Sequence, residues 1–182
     1  MAKTGKNDPV ALSALPAGAP VTAPRSEAPR SSRKAKEMPL TRRVTPESAT
    51  AAEVLDRVEW TRRPAKISGA DGEVVFKMDD AEVPADWSQL ATDVAVSKYF
   101  RKAGVPTGSG AEESVRQLVR RVAHTLRTAG EEMGGYFASA ADAETFEAEL
   151  SYMLVHQIGA FNSPVWFNCG LWHEYKIKGS GG

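Results

Sequence analysis

From Val115 onward the chain repeats apolar residues at helical spacing: Val115, Leu118, Val119, Val122, Leu126 and Ala129 recur at i, i+3, i+4 and i+7. That spacing predicts an amphipathic helix, capped by Ser109 or Ser114 and ended by Gly130. Its polar face carries Arg116, Arg120, Arg121 and Arg127, which are expected to be solvated and to pair with acids such as Glu112 and Glu113 rather than to form a phosphate-binding strip. His124 falls on the same wet side. A second helix is predicted upstream, from a capping box made by Asp86 and Gln89 to about Ala103, with Val94, Ala95, Tyr99 and Phe100 inward. Gly104 supplies a left-handed stop there and Pro106 prevents continuation. A third helix opens at Ser139 with Asp142 after the Gly134-Gly135 break, carries Phe146, Leu150, Met153, Leu154 and Gln157 as its apolar stripe, and stops at Gly159.

Shorter patterns precede these helices. Glu53, Val54, Leu55 and Val58 suit a short helix that leads to Trp60. Ala65-Lys-Ile and Glu73-Val-Val-Phe-Lys flank Ser68-Gly-Ala-Asp-Gly72, a connection of hairpin length, with Lys66 and Lys77 on the wet side. The fold class expected from these elements is mainly α with a small β-hairpin (α+β).

Composition changes the picture mainly at the N-terminus. Residues 1–50 hold Pro9, Pro16, Pro20, Pro24, Pro29, Pro39 and Pro46 and no aromatic residue, and so offer little to offset backbone ordering at about 1–2 kcal/mol per residue. The expectation is a disordered, basic leader over 1–50, with the folded domain over 51–182. A formal net charge of +0 excludes a global field that would draw the chain to nucleic acid or membrane. One cysteine excludes an internal disulfide framework, and with no long apolar run or signal-peptide core a cytoplasmic protein with no membrane partner is expected.

The stretch Phe161-Asn162-Ser163-Pro164-Val165-Trp166-Phe167-Asn168-Cys169-Gly170-Leu171 fits none of these patterns and reads as a site loop. Pro164 pushes Ser163 toward an extended conformation, and a serine hydroxyl with adjacent N–H groups is a neutral donor set suited to phosphate oxygens. Asn162 reads as a backbone brace. Cys169, His173, Glu174 and the distant His156 lack the paired spacing of a zinc site, so no metal site is expected. Gly179-Ser-Gly-Gly182 has no following lysine and helix to make a phosphate loop.

Phe161-Asn-Ser-Pro-Val-Trp-Phe-Asn168 with Gly170-Leu171 resembles the N-terminal region of adenosylcobalamin-dependent (class II) ribonucleotide reductases. Val74-Val-Phe76, Glu82-Val-Pro-Ala-Asp-Trp-Ser-Gln-Leu-Ala-Thr-Asp93, Lys98-Tyr-Phe-Arg-Lys-Ala-Gly-Val-Pro106 and Gly135-Tyr-Phe-Ala-Ser139 follow the order of that family, so the resemblance covers Trp60 to Gly182.

The resemblance implies the N-terminal part of an enzyme, taken as a ribonucleoside-diphosphate reductase with the triphosphate left open, that reduces ribonucleotides to deoxyribonucleotides for DNA synthesis and repair by cobalamin-generated thiyl radical chemistry. It implies that the helical region leads into the first strand of a ten-stranded α/β barrel that is mostly absent here, so this chain is expected to be inactive alone. It places Ser163 against the substrate phosphate, with no catalytic residue in this chain. The implied cofactor is adenosylcobalamin, with no binding residue identifiable here. The implied partners are the ribonucleotide and the remainder of the barrel, with a possible homodimer at full length and no direct nucleic-acid binding. In such enzymes the redox cysteines lie further downstream, and a lone cysteine has no partner for a disulfide cycle, so Cys169 is expected to be a small buried residue. The alternative is a non-enzymatic helical binding module whose basic tail contacts nucleic acid or a partner protein.

Overall fold

Two long antiparallel strands stand where the sequence predicts a short hairpin: β1 (Trp60–Ser68) pairs with β2 (Val74–Pro84) from Trp60↔Pro84 to Ser68↔Val74. The computed structural model describes residues 37 and 39–178, all within one unit spanning Lys34–Gly182. The strands run past the predicted hairpin because Arg62-Arg63-Pro64 and Asp79-Asp80 hide them behind polar positions and a proline. The register shifts between Arg63 and Ala65, around Pro64, which has no N–H to give to a ladder. Arg63 donates to the carbonyls of Trp87 at 2.9 Å and Ala85 at 2.9 Å and so fixes the exit from β2. Lys66 and Lys77 face each other across the ladder, both exposed as expected.

The short helix α1 (Ala51–Asp56) forms as predicted, and Thr50 with Glu53 supplies its capping box. The packed chain begins before the expected boundary at residue 50. The Glu149 carboxylate accepts the N–H groups of Arg43 at 2.9 Å and Thr45 at 2.8 Å, Asp142 accepts that of Leu40 at 2.6 Å, and Thr45 and Ala49 are buried. Acids on a neighbouring helix thus supply the order that local composition lacks. Residues 1–36 of the expected leader lie outside the described residues.

Helix α2 (Gln89–Val94) is capped by Ser88, whose hydroxyl accepts the Ala91 N–H at 3.1 Å, rather than by Asp86. Gln89 turns to the Pro64 carbonyl and to Asp93, so the predicted capping box does not form. The helix widens into a π turn over Ala95–Tyr99 and ends at Phe100, short of Ala103. A two-way clamp takes the chain off the helix there: Arg101 N–H donates to the Glu112 carboxylate and Glu112 N–H donates to the Arg101 carbonyl, each at 2.8 Å. The π turn buries Ala95, Val96 and Phe100 together, whereas Val94 is left exposed.

Helix α3 (Val115–Met133) starts at Ser114 in a capping box with Gln117 and passes straight through Gly130. Gly130 is buried, and a Cβ there would lie 2.6 Å from the Phe137 ring, so this glycine admits a neighbour rather than stopping a helix. Helix α4 (Ala140–Val155) starts at Ser139, which accepts the Asp142 N–H at 3.2 Å as predicted. Its buried face overlaps the predicted stripe only in part: Leu154 is buried and Leu150 packs on the core, but Met153 and Gln157 are exposed and Ala143, Glu147, Ala148, Ser151 and Val155 are buried in their place. Packing against both α3 and α1 selects small residues on two sides, which apolar periodicity alone does not reveal. The main core joins Ala65, Ala81 and Val83 of the strands to Val96, Phe100, Val115, Leu118, Val119, Val122, Leu154, Val155 and Trp166. Among the described residues, no helix is long and apolar enough to cross a membrane.

Candidate functional site around Ser163 and Arg121

The expected loop contains two short helices, α5 (Ser163–Asn168) and α6 (Leu171–Tyr175). Asn162 is the first cap, and its carbonyl accepts the Val165 N–H at 3.1 Å and the Trp166 N–H at 3.4 Å. Its side chain makes no cap bond, so the brace is the backbone. Pro164 sits in the first turn, where its missing N–H costs nothing and its fixed φ suits the helix. Val165, Trp166 and Phe167 therefore wind instead of extending, and the barrel strand expected at this point is not formed. A short apolar run does not by itself distinguish a strand from a buried helical turn. Here Trp166 enters the core and Phe167 stays 45% exposed.

Ser163 is half-buried, with its hydroxyl oxygen 3.3 Å from that of Tyr99. The Tyr99 ring lies against Phe167 and Trp166, with centroids 5.5 Å and 6.1 Å away. Tyr99, Trp87, Leu118, Leu154, Ile158 and Trp166 line an apolar groove of about 430 Å³. The Trp87 indole N–H donates to the Val155 carbonyl at 2.7 Å and anchors the groove wall.

The expected pairing of Arg121 with Glu112 forms, but not on the wet face: both side chains are fully buried, which sequence reasoning missed. Nε donates to Glu112 Oε1 at 2.8 Å, and Nη2 donates to Oε2 at 3.2 Å. The rest of the fork reaches the carbonyls of Cys169 at 2.5 Å and Trp166 at 3.1 Å. Tyr175 of α6 donates its hydroxyl to Glu112 Oε1 at 2.9 Å, and burial beside that carboxylate pushes the phenol well above its usual range. One buried ion pair therefore fixes both α5 and α6 to α3. A usable sign was present, because Arg121 stands three residues after Leu118 and next to Val122, at the edge of the apolar stripe. The other arginines keep to the expected polar face: Arg120 is exposed, Arg116 pairs with Asp56 at 2.8 Å and lies over the Trp60 ring, and Arg127 pairs with Glu131 and Glu147.

Gly170 explains the sharp change between the two helices. Its φ is +83°, and a Cβ would overlap the Arg121 carbonyl and lie 2.5 Å from Arg121 Cγ. Only glycine lets α6 turn back at this distance from α3. Cys169, expected to be buried, is half-buried, and that burial raises its thiol pKa against the opposing charge of Arg121. A protonated thiol is a poor nucleophile.

Residues that lack metal-ligand spacing along the sequence are partly brought together in space. His124 of α3 meets His173 and Glu174 of α6, with their donor atoms within 4.8 Å of one another. His156 is elsewhere, tilted against Tyr152 with ring centroids 4.3 Å apart.

A family model described as class II vitamin B12-dependent ribonucleotide reductase matches residues 61–157, which run from β1 to the end of α4. The chain belongs to this family. Vitamin B12-dependent ribonucleotide reductases from Rhodopirellula baltica and Streptomyces avermitilis are each 48% identical, over 66% and 68% of this chain and 11% and 13% of their own lengths. That of Agrobacterium fabrum is 38% identical over 79% of this chain and 13% of its own. The chain thus spans roughly an eighth of the length of these curated relatives. The described grooves of about 390 and 430 Å³ do not fit the cofactor of such reductases, since sites for ordinary small molecules alone take about 300–1,000 Å³ and a corrin with its nucleotide tail is far larger.

Proposed function

We propose that this class II chain supplies one wall of the substrate site in an enzyme that reduces ribonucleotides to deoxyribonucleotides, with Ser163 as a donor to the substrate's phosphate. The observation that carries this reading is the placement of Ser163. Its hydroxyl is half-buried, faces Tyr99, and sits on a helix whose far end is held by the buried Arg121. A donor fixed in this way loses little freedom on binding an anion. The ribonucleoside diphosphate is the proposed substrate, adenosylcobalamin the proposed cofactor of the longer protein, and a ten-stranded barrel, from residues beyond those described, the proposed partner structure. The exposed Ile158 and Val94 lining the groove support such a partner, since apolar side chains clustered at a groove suit coverage by protein.

The test is a chimera in which this chain replaces the matching segment of the Streptomyces avermitilis reductase, assayed with a ribonucleoside diphosphate and the corresponding triphosphate. Losing a hydrogen bond to a charged group costs about 1.5–3 kcal/mol. Ser163→Ala should therefore raise KM about tenfold or more with little change in kcat. An unchanged KM removes Ser163 from the phosphate site, and a lower KM for the triphosphate rejects the diphosphate assignment.

A further inference from the structure

We propose that His124, His173 and Glu174 form a divalent transition-metal site, of the kind that takes zinc, which ties α6 to α3. Nε2 of His124 lies 3.8 Å from Glu174 Oε1, and Nε2 of His173 lies 3.6 Å from the same oxygen. Donors on a tetrahedral ion with bonds of about 2.0–2.1 Å stand roughly 3.3 Å apart, so modest rotation of the side chains brings these atoms onto one ion. Both imidazoles are only about a third exposed, at 34% and 33%, which leaves them free to adjust and leaves an opening for water at a fourth position.

Three further observations point to a cation here. Glu174 Oε1 is a buried oxygen with no hydrogen-bond partner, and its neighbours are two ring nitrogens. Both nitrogens stand beyond hydrogen-bond distance, and a buried carboxylate oxygen left without a partner is costly unless a cation meets it. Secondly, His124 is oriented from behind: its Nδ1 lies 3.2 Å from Glu147 Oε1, and Arg127 donates to Glu147 Oε2 at 2.9 Å. A carboxylate on Nδ1 fixes the proton there and aims the Nε2 lone pair at Glu174, the outer arrangement that protein metal sites use. Thirdly, two imidazoles and one carboxylate match the borderline character of zinc better than that of magnesium or calcium, which prefer oxygen donors.

The placement gives the ion a structural consequence. Helix α6 has five residues, too few to hold its shape by its own hydrogen bonds, and it carries Tyr175 to the buried Glu112. An ion shared by α3 and α6 would reinforce that attachment. The proposal concerns metal binding by this chain alone and does not rest on the assignment of Ser163.

The test uses the full 182-residue chain, stripped with chelator and titrated with Zn2+ for thermal stability and with Co2+ for visible absorption. Stoichiometric Zn2+ should raise Tm by several degrees, and Co2+ should give the d–d bands of a four-coordinate site. His173→Ala and Glu174→Gln should each abolish those bands, Glu147→Gln should weaken binding about 10–100-fold, and His156→Ala should change nothing. Circular dichroism of the metal-free variants checks that they remain folded. The proposal is overturned if Zn2+ leaves Tm unchanged, if the Co2+ spectrum survives His173→Ala, or if the melting rise comes only from lowering pH without metal, which would assign the positive charge to a proton.

Discussion

Arg121→Met is the sharpest test of how this domain holds its site. Methionine keeps most of the methylene packing and removes the fork, leaving the Glu112 carboxylate fully buried with only the Arg101 N–H and the Tyr175 hydroxyl as partners. The carbonyls of Trp166 and Cys169 lose their donor at the same time. Breaking a buried pair by removing one partner costs about 3–5 kcal/mol, against a total stability on the order of 5–15 kcal/mol. For a chain of this size that is roughly a 6–20 °C fall in Tm. Urea unfolding followed by far-ultraviolet circular dichroism and by tryptophan fluorescence measures the loss, and Trp166 makes the second probe sensitive to α5. Adding Glu112→Gln removes the stranded charge, so the double variant should recover about 1–3 kcal/mol relative to Arg121→Met. A cost below about 1 kcal/mol, the ordinary value of an exposed pair, would return Arg121 to the wet face and refute the reasoning.

Three other outcomes follow from neighbouring contacts. Gly170→Ala meets both a positive φ and the Arg121 backbone, and should cost about 3 kcal/mol or more, read by the same urea titration. Tyr175→Phe removes one hydrogen bond to a buried carboxylate and should cost about 1.5–3 kcal/mol, with Tm as the measurement. Burial alone would raise the Glu149 carboxyl, but the Thr45 hydroxyl and the N–H groups of Arg43, Thr45 and Val44 outweigh it and hold the carboxyl below its ordinary value. Its stabilising contribution is therefore complete above the unfolded carboxylate pKa and lost as pH falls through the lower folded value. Limited proteolysis between residues 39 and 50 should accelerate in that acid window, and Glu149→Gln should produce the same sensitivity at neutral pH.

Legibility in the sequence followed the range of the interactions. Ser114 and Ser139 caps, the Leu118 stripe and the α1 pattern are local, and each element forms where its residues direct it. Long-range terms decided the rest. Asp86 yields to Ser88 because Gln89 has better partners in Pro64 and Asp93, and the predicted end of α2 moves back because Glu112 seizes Arg101. Gly104 takes the left-handed φ of +83° expected of it although α2 has already ended at Phe100, whereas Gly130 is a gap for Phe137 inside a helix. The family motif located the Ser163 region, but no spacing rule could join His124 to His173, because α3 and α6 meet only after Gly170 reverses the chain.

The position of Ser163 depends on these same long-range contacts. Its hydroxyl meets Tyr99 at the end of the π turn, and that turn ends where Arg101 engages Glu112. Glu112 in turn holds Arg121, which grips the Trp166 and Cys169 carbonyls at the other end of α5. Both ends of α5 are therefore referred to one buried carboxylate. A disturbance at Glu112 moves Ser163 even though the two residues do not touch, whereas Ser163→Ala removes a donor without loosening the core. Stability and substrate affinity should consequently separate: Ser163→Ala changes KM at constant Tm, and Glu112→Gln lowers both Tm and affinity. A Glu112→Gln variant that lost stability yet bound nucleotide with an unchanged KM would break this link between the ion pair and the site.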